Sequence, residues 1–289
     1  MENPEKHLPD SIYVRVYENR IDLLRAVIIG AAGTPYHDGL YFFDIAFPPD
    51  FPARPPLVYY RSFGLRINPN LYANGRVCLS LLNTWPGKKR EKWNSSESTV
   101  LQVLVSLQAL VLNEKPYYNE PGNGVLPGRA IWEKKSNAYS ENVFFLSCKT
   151  MLFLLRTPPT NFEGFVTGHF GEKASVILSA CNAYIKGEVR VGFYRNDGSC
   201  SSCKSSSHVH VSEKFKGLMG QLYPQLVSGF KRNGASLGGF LEQLKQPVEK
   251  KTLSFKGKTV RMVFGKLKKV LGLKKKDNSG KSGVKSNGS

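Results

Sequence analysis

Short runs with a period of two open the chain. Ile12-Tyr13-Val14-Arg15-Val16-Tyr17 alternates, Leu23–Gly30 is nearly all apolar, and Leu40–Phe47 is aromatic and β-branched. Runs of this length and composition predict strands. Turn formers from Gly33 to Gly39 separate the last two runs. Links this short favour antiparallel neighbours, since parallel crossovers are longer. Pro48, Pro49, Pro52, Pro55 and Pro56 then fall within nine residues. Proline lacks the N–H for a ladder and fixes φ, so this stretch reads as a rigid, extended loop. Leu57–Tyr60 reads as a fourth, short strand.

The period then changes. Apolar residues at 100, 103, 104, 107, 110 and 111 predict a helix over Val100–Leu112, with Ser98 or Thr99 as its N-cap. Pro116 and the loop Asn119–Gly124 end it. A second helix is expected at about Glu141–Leu155, stopping before Pro158-Pro159, and a third over Glu172–Tyr184. Residues 194–212 are Ser-rich and polar. Helical pieces follow near Ser212–Phe230 and Gly238–Leu244. The last fourteen or so residues are Lys, Ser, Gly and Asn and are expected to be disordered. Strands followed by helices predict an α+β fold. The expected organisation is a core domain over 1–187, a Ser-rich linker over 188–212, a helical extension over 213–247 and a basic tail over 248–289.

Bulk composition narrows the setting. A chain of 289 residues suffices for one large core or two modest domains. It has no apolar run of eighteen residues, so no transmembrane segment is expected. The first residues, Met1 to Lys6, lack the apolar stretch of a secretion signal. The five cysteines are an odd number scattered over a long chain, which points to the cytoplasm or nucleus. Of the net charge of +19, residues 248–289 carry +11, from 13 Lys or Arg and 2 acids. Such a tail can meet nucleic acid, an anionic membrane or an acidic partner. Val260, Val263, Phe264, Leu267, Val270 and Leu271 recur there at helical spacing among cations. The readings are a helix lying on anionic membrane, a nuclear-import signal, or a solvated tail.

Candidate chemistry centres on Cys78. It lies eight residues after the second Asn of Asn68-Pro69-Asn70, with Gly75 to bend the chain between them. A lone cysteine is most often a small buried hydrophobe. This one has polar turn residues upstream and no partner at disulfide-like or metal-like spacing. That setting suits an accessible thiol, and a thiol can carry an acyl group. Cys148 and Cys181 lie on apolar helix faces and are expected in the core. Cys200 and Cys203, with His208 and His210, offer two thiolates and two imidazoles, the donor set of a tetrahedral zinc site. A redox pair and a floppy linker are the other readings of that stretch.

Several motifs carry a resemblance. Tyr36-His37-Asp38-Gly39 precedes the strand Tyr41–Phe47, and Phe51-Pro52-Ala53-Arg54-Pro55-Pro56 follows it. Then come Asn68-Pro69-Asn70-Leu71-Tyr72, Val77-Cys78-Leu79-Ser80-Leu81-Leu82, Leu101–Ser106 and Lys115–Gly122. In this order they resemble the ubiquitin-conjugating enzymes over about residues 9–187, and within that family the large plant phosphate-homeostasis type. The resemblance implies the family's fold: a four-stranded antiparallel meander sheet with helices packed on it.

It also implies a two-step acyl transfer. Cys78 is expected to accept ubiquitin from the ubiquitin-activating enzyme as a thioester, and a target lysine then attacks it. No cofactor is implied. Asn70 is the candidate oxyanion donor, or else a brace for the turn. Asn68 stands where members usually carry His, and its amide can hold the turn as that ring does. Asn119 and Glu120 fall where a polar or acidic residue orients the incoming lysine, with Glu120 the candidate for that role. Tyr72 and Leu79 are expected to flank the pocket. Ala53 stands where many members place an aromatic that grips RING-type ubiquitin ligases. Trp85 to Trp93 encloses a basic insertion. Almost nothing precedes the first strand, where most members begin with an amphipathic helix. Ala53 and this short N-terminus support a second reading, a ubiquitin- or partner-binding module impaired in catalysis.

Overall fold

The computed structural model describes residues 8–123, 130–195 and 209–238. Strands β1 (Ile12–Tyr17), β2 (Arg20–Ile29), β3 (Leu40–Ala46) and β4 (Leu57–Tyr60) form one antiparallel sheet in chain order. Val27 pairs with Phe42 and Ile28 with Tyr41 across the central strands. Because side chains alternate between faces, neighbouring residues serve different cores. Ala26, Ile28, Tyr41, Phe43 and Ile45 pack against Val103, Leu104 and Leu107. Val27, Leu40 and Phe42 pack on the opposite side against Phe144, Phe162 and Phe170. Burial on both sides explains why these strands read as nearly continuous apolar runs.

Helix α1 (Val100–Ser106) covers the first face. Thr99 caps it, its hydroxyl accepting from Gln102 N at 3.2 Å while Gln102 Oε1 accepts from Thr99 N at 3.0 Å. The helix continues through Leu107–Val111 as a π-turn. The helix ends at Val111, whose carbonyl therefore lacks an intrahelical partner and is open to side-chain donors.

One side of helix α2 (Ala130–Arg156), whose Val143 reaches the first core, forms the layer on the other face together with helices α3 (Glu163–Lys186) and α4 (Glu213–Arg232). Phe144 and Met151 of α2, Phe170 and Ile177 of α3, and Phe215 and Phe230 of α4 share one core. Each such side chain contributes roughly 1.5–3 kcal/mol on leaving water. Helix α4, the described part of the expected C-terminal extension, packs into this same layer. At the edge, the Tyr13 ring of β1 lies tilted 4.6 Å from that of Phe165, and the Arg15 guanidinium lies 5.4 Å from the Phe162 ring.

Two helices start earlier than their apolar pattern indicates. Helix α2 begins at Ala130 and not near Glu141. Its first turns are polar and are held laterally, by Tyr117 against Trp132 and Tyr139 and by Lys115 bound to Glu133 at 3.1 Å. Helix α3 begins at Glu163 and not at Glu172. Gly164, Gly168 and Gly171 dilute its early pattern, and buried Val166 and Phe170 supply the packing. Tertiary contact overrides weak local propensity in both.

The stretch expected as a linker is fastened at its described ends. Val191 and Val211 are buried, and Val209 N donates to Gly187 O at 3.1 Å. Ser212 donates from its backbone N and its hydroxyl to Glu141. The expected helix Gly238–Leu244 beyond Gly238, and the basic tail over 248–289, lie outside the described residues. Among the described residues no helix is long and apolar enough to cross a membrane.

Candidate active site

The segment from Ile67 to Thr84 folds as a small platform beside the end of α1. Leu71 bridges Val77, and the chain between them turns at Gly75, which has φ +86°. A Cβ there would also meet the Tyr59 ring at 2.1 Å, so only glycine fits.

Asn68 is fully buried and organises the platform. Its Nδ2 donates to the Tyr36 hydroxyl and to the Val111 carbonyl, both at 2.7 Å. Its Oδ1 accepts from Asn70 N at 2.8 Å. Tyr36 passes the chain on by donating to Ile67 O at 3.0 Å. Burial raises the Tyr36 pKa well above the ordinary range, against the smaller effect of the Asn68 bond, so the phenol stays a donor. Every polar atom of the Asn68 side chain is thus bonded, as its burial demands.

Asn70 and Cys78 are joined twice. Cys78 N donates to Asn70 O at 2.9 Å, and Asn70 Nδ2 donates to Cys78 O at 2.8 Å. Thr84 closes on the residues either side of Cys78. Its hydroxyl donates to Val77 O at 2.8 Å and accepts from Leu79 N at 3.0 Å. The chain on both sides of the cysteine therefore folds back upon it, and Cys78 is only 2% exposed. This corrects the expectation of an accessible thiol: the turn residues upstream of Cys78 bend the chain around it.

Glu120 lies 3.4 Å from Arg66 Nη2, and both side chains are nearly half exposed. Arg66 also donates to Pro69 O at 3.2 Å, and its guanidinium lies 4.6 Å from the Tyr72 ring. Glu120 is thereby brought to the Asn68–Asn70 turn through Arg66. Asn119 reaches the same turn, donating to Val111 O at 3.2 Å and approaching Asn68 Oδ1 at 3.4 Å. Tyr72 is half-buried and Leu79 is buried. Tyr36, Arg66 and Thr84 belong to this site although no sequence pattern singled them out for it. Tyr36 lies within a recognised motif, whereas Thr84 and Arg66 are marked only by their place in the fold.

Cys148 and Cys181 face one another in the core, both fully buried. Burial pushes the Cys148 thiol pKa up, and its contact with Cys181 adds to this. Cys200, Cys203 and His208 lie outside the described residues, and His210 is exposed. Among the described residues no group of His, Cys, Asp or Glu has the arrangement of a metal site.

The family model "Ubiquitin-conjugating enzyme" matches residues 1–146. An Arabidopsis thaliana protein named probable ubiquitin-conjugating enzyme E2 24 is 52% identical over 232 residues, which are 80% of this chain and 25% of that protein. Another from the same plant, probable ubiquitin-conjugating enzyme E2 25, is 62% identical over 183 residues, 63% of this chain and 30% of that protein. A human protein named dual E2 ubiquitin-conjugating enzyme/E3 ubiquitin-protein ligase BIRC6 is 42% identical over 179 residues, 61% of this chain and 4% of that protein. The chain thus spans about a quarter of the first of these relatives and less than a third of the second. With its four-stranded meander, its helical layers and the Asn68–Cys78 platform, the chain belongs to the ubiquitin-conjugating enzyme family.

Proposed function

We propose that this chain transfers ubiquitin through a thioester on Cys78. The observation that carries the reading is the double hydrogen bond between Asn70 and Cys78, which fixes the cysteine backbone within the family's own segment. In the first step the Cys78 thiol loses its proton, and its sulfur attacks the carbonyl carbon of ubiquitin held as a thioester by the activating enzyme. The S–C bond to the activating enzyme breaks, and that enzyme's thiolate takes up a proton. In the second step a target amine attacks the same carbon. The Cys78–carbonyl bond breaks as an amide forms, and the proton lost by the amine is balanced by the one the departing Cys78 thiolate takes up. Sulfur suits both steps, as nucleophile and as leaving group.

In this reading Asn70 serves first as brace, since its Nδ2 already donates to the Cys78 carbonyl. The remaining amide hydrogen of Nδ2 is the candidate donor to the oxyanion. Glu120, bound to Arg66, is assigned to steering the amine. The burial of Cys78 requires local opening before either step, an ordinary low-energy excursion for a loop.

That same burial supports a second reading, a module that binds ubiquitin or a partner without being charged. A charging assay separates the two. Purified chain is mixed with ubiquitin, its activating enzyme and ATP, and run on gels with and without reductant. A reductant-sensitive band one ubiquitin heavier, absent in Cys78→Ala and reductant-resistant in Cys78→Ser, supports the transferase. No band from folded protein, together with retained ubiquitin binding, supports the module. The human relative's name joins conjugating and ligase activities in one protein. Transfer to a target without a separate ligase is accordingly part of the proposal.

A further inference from the structure

The basic insertion beyond Cys78 is a built feature and not a loose run of charge. It opens with Pro86, whose carbonyl accepts from the Ser80 hydroxyl at 3.1 Å, two residues past the cysteine. Gly87 sits so close to Ser80 that a Cβ would meet its Oγ at 2.6 Å. Lys89–Glu91 then forms a 3-10 turn, with Lys88 N donating to Glu91 Oε2 at 3.1 Å. It closes at Trp93, whose indole Nε1 donates to Pro52 O at 2.7 Å and whose ring lies 5.8 Å from Phe51. The insertion is therefore pinned to the cysteine segment at one end and to the proline-rich loop at the other.

Four cations, Lys88, Lys89, Arg90 and Lys92, stand exposed on this frame. Among the described residues none of them lies within ion-pair distance of a carboxylate. Glu91 is occupied by the Lys88 backbone. Between the insertion and Ala53 lies an open cleft of about 880 Å³, lined by Lys89, Arg90, Lys92 and Trp93. The single acid in its lining, Glu97, accepts from Asn94 Nδ2 at 3.0 Å. Mutual repulsion of four fixed cations is relieved by a ligand of opposite charge, and rigid presentation lowers the entropy such a ligand must lose.

We propose that this insertion docks an acidic segment of the target polypeptide, Asp- or Glu-rich, placing a neighbouring lysine at Cys78. An ordered loop fixed two residues from the thiol has the position to orient a target. Its purpose rests on the thioester reading of Cys78; its affinity for acidic peptide does not.

The test compares rates of ubiquitin transfer from the charged 289-residue chain to two lysine peptides, one flanked by glutamates and one by glutamines. The quantity read is the ratio of the two rates, which cancels general effects on charging. The expected ratio is about tenfold at low salt and falls as salt is raised. In the double variant Lys89→Glu, Arg90→Glu it should fall to about one or below, with an arginine-flanked peptide now preferred. A wild-type ratio near one, or a ratio unmoved by the variant, overturns the proposal. If the chain cannot be charged, the thioester reading fails by itself and docking is read separately. Zero-length carbodiimide crosslinking of the glutamate peptide should then join it to Lys88, Lys89 or Lys92. Joints confined to other lysines, the C-terminal tail included, overturn docking here, as does stronger protection of these three lysines by RNA than by the peptide.

Discussion

Asn70 and Cys78 exchange hydrogen bonds, N–H to carbonyl in one direction at 2.9 Å and side-chain amide to carbonyl in the other at 2.8 Å. The seven residues between them are closed into a loop by these two bonds. Asn70→Ala would leave the Cys78 carbonyl, which lies in a buried residue, without its donor. The expected cost is about 1–3 kcal/mol, measurable by urea unfolding. Asn70→Asp replaces a donor with an acceptor facing that carbonyl and should cost at least as much. A variant of unchanged stability but slow aminolysis would instead assign Asn70 to the oxyanion alone.

Burial of Cys78 sets its reactivity toward reagents. Alkylation by iodoacetamide, followed by peptide mapping under native conditions, should be slower at Cys78 than in the unfolded chain by about a hundredfold, the cost of a local opening. Cys148 and Cys181 should be slower still, since exposing them means parting α2 from α3. Modification of Cys78 as fast as in the unfolded chain would contradict the closed turn.

Thr84 is a positioning residue. Thr84→Val keeps the shape but removes the hydroxyl that spans Val77 and Leu79, leaving Leu79 N unpaired. Charging should slow while overall stability falls by about 1 kcal/mol, and Thr84→Ser should restore the rate. A rate unaffected by Thr84→Val would remove Thr84 from the site.

A buried polar knot ties the β2–β3 turn to the helical layer. The Tyr184 hydroxyl accepts from Gly192 N at 3.1 Å and Tyr194 N at 3.3 Å, leaving its own proton for His37 Nε2 at 2.9 Å. His37 Nδ1–H then faces the Asp38 carboxylate at 2.8 Å. Tyr184→Phe strands two backbone donors and one ring nitrogen, for an expected loss of about 2–4 kcal/mol. A change under about half a kcal/mol in urea unfolding would show the knot to be incidental.

Acid should loosen the same region. His169 Nε2 lies 2.9 Å from the Asp38 carbonyl oxygen, and burial lowers the His169 pKa below its ordinary 6.5 despite that contact. The unfolded chain therefore binds the proton more readily than the folded one. The stabilisation is present above pH 6.5 and is lost as pH falls through that value toward the folded pKa. Lys173 and Glu172 on α3 also act on this ring, in opposite senses. His169→Gln should flatten unfolding free energy between about pH 7 and 5. An equally steep profile in the variant would place the acid sensitivity elsewhere.

The sheet was the most legible part of the sequence. Alternation in Ile12–Tyr17 and the aromatic run at Leu40–Phe47 mark strands because pleated, buried surfaces demand those residue types. Helix starts were less legible. Ala130–Ser140 is mostly polar because it rests largely on the Tyr117 loop, and the three early glycines of α3 conceal its first turns. At the site, the need for an amide at Asn68 was readable, since an amide can replace an imidazole in bracing a turn. Its anchor on Val111 was not, because the apolar spacing does not mark the residue at which the helix ends and frees that carbonyl. The closed state of Cys78 was also hidden, because it depends on Thr84 returning from beyond the next turn.

Because α3, α4 and one side of α2 cover the second face of the sheet, Val27, Leu40 and Phe42 stay dry only while that layer is present. A fragment cut after α2 would bare those side chains along with Phe144 and Met151, and would be prone to precipitate. Because Ala235 and Leu237 belong to the same core, the shortest well-behaved recombinant piece runs through Leu237, well past the last residue that the family pattern recognises.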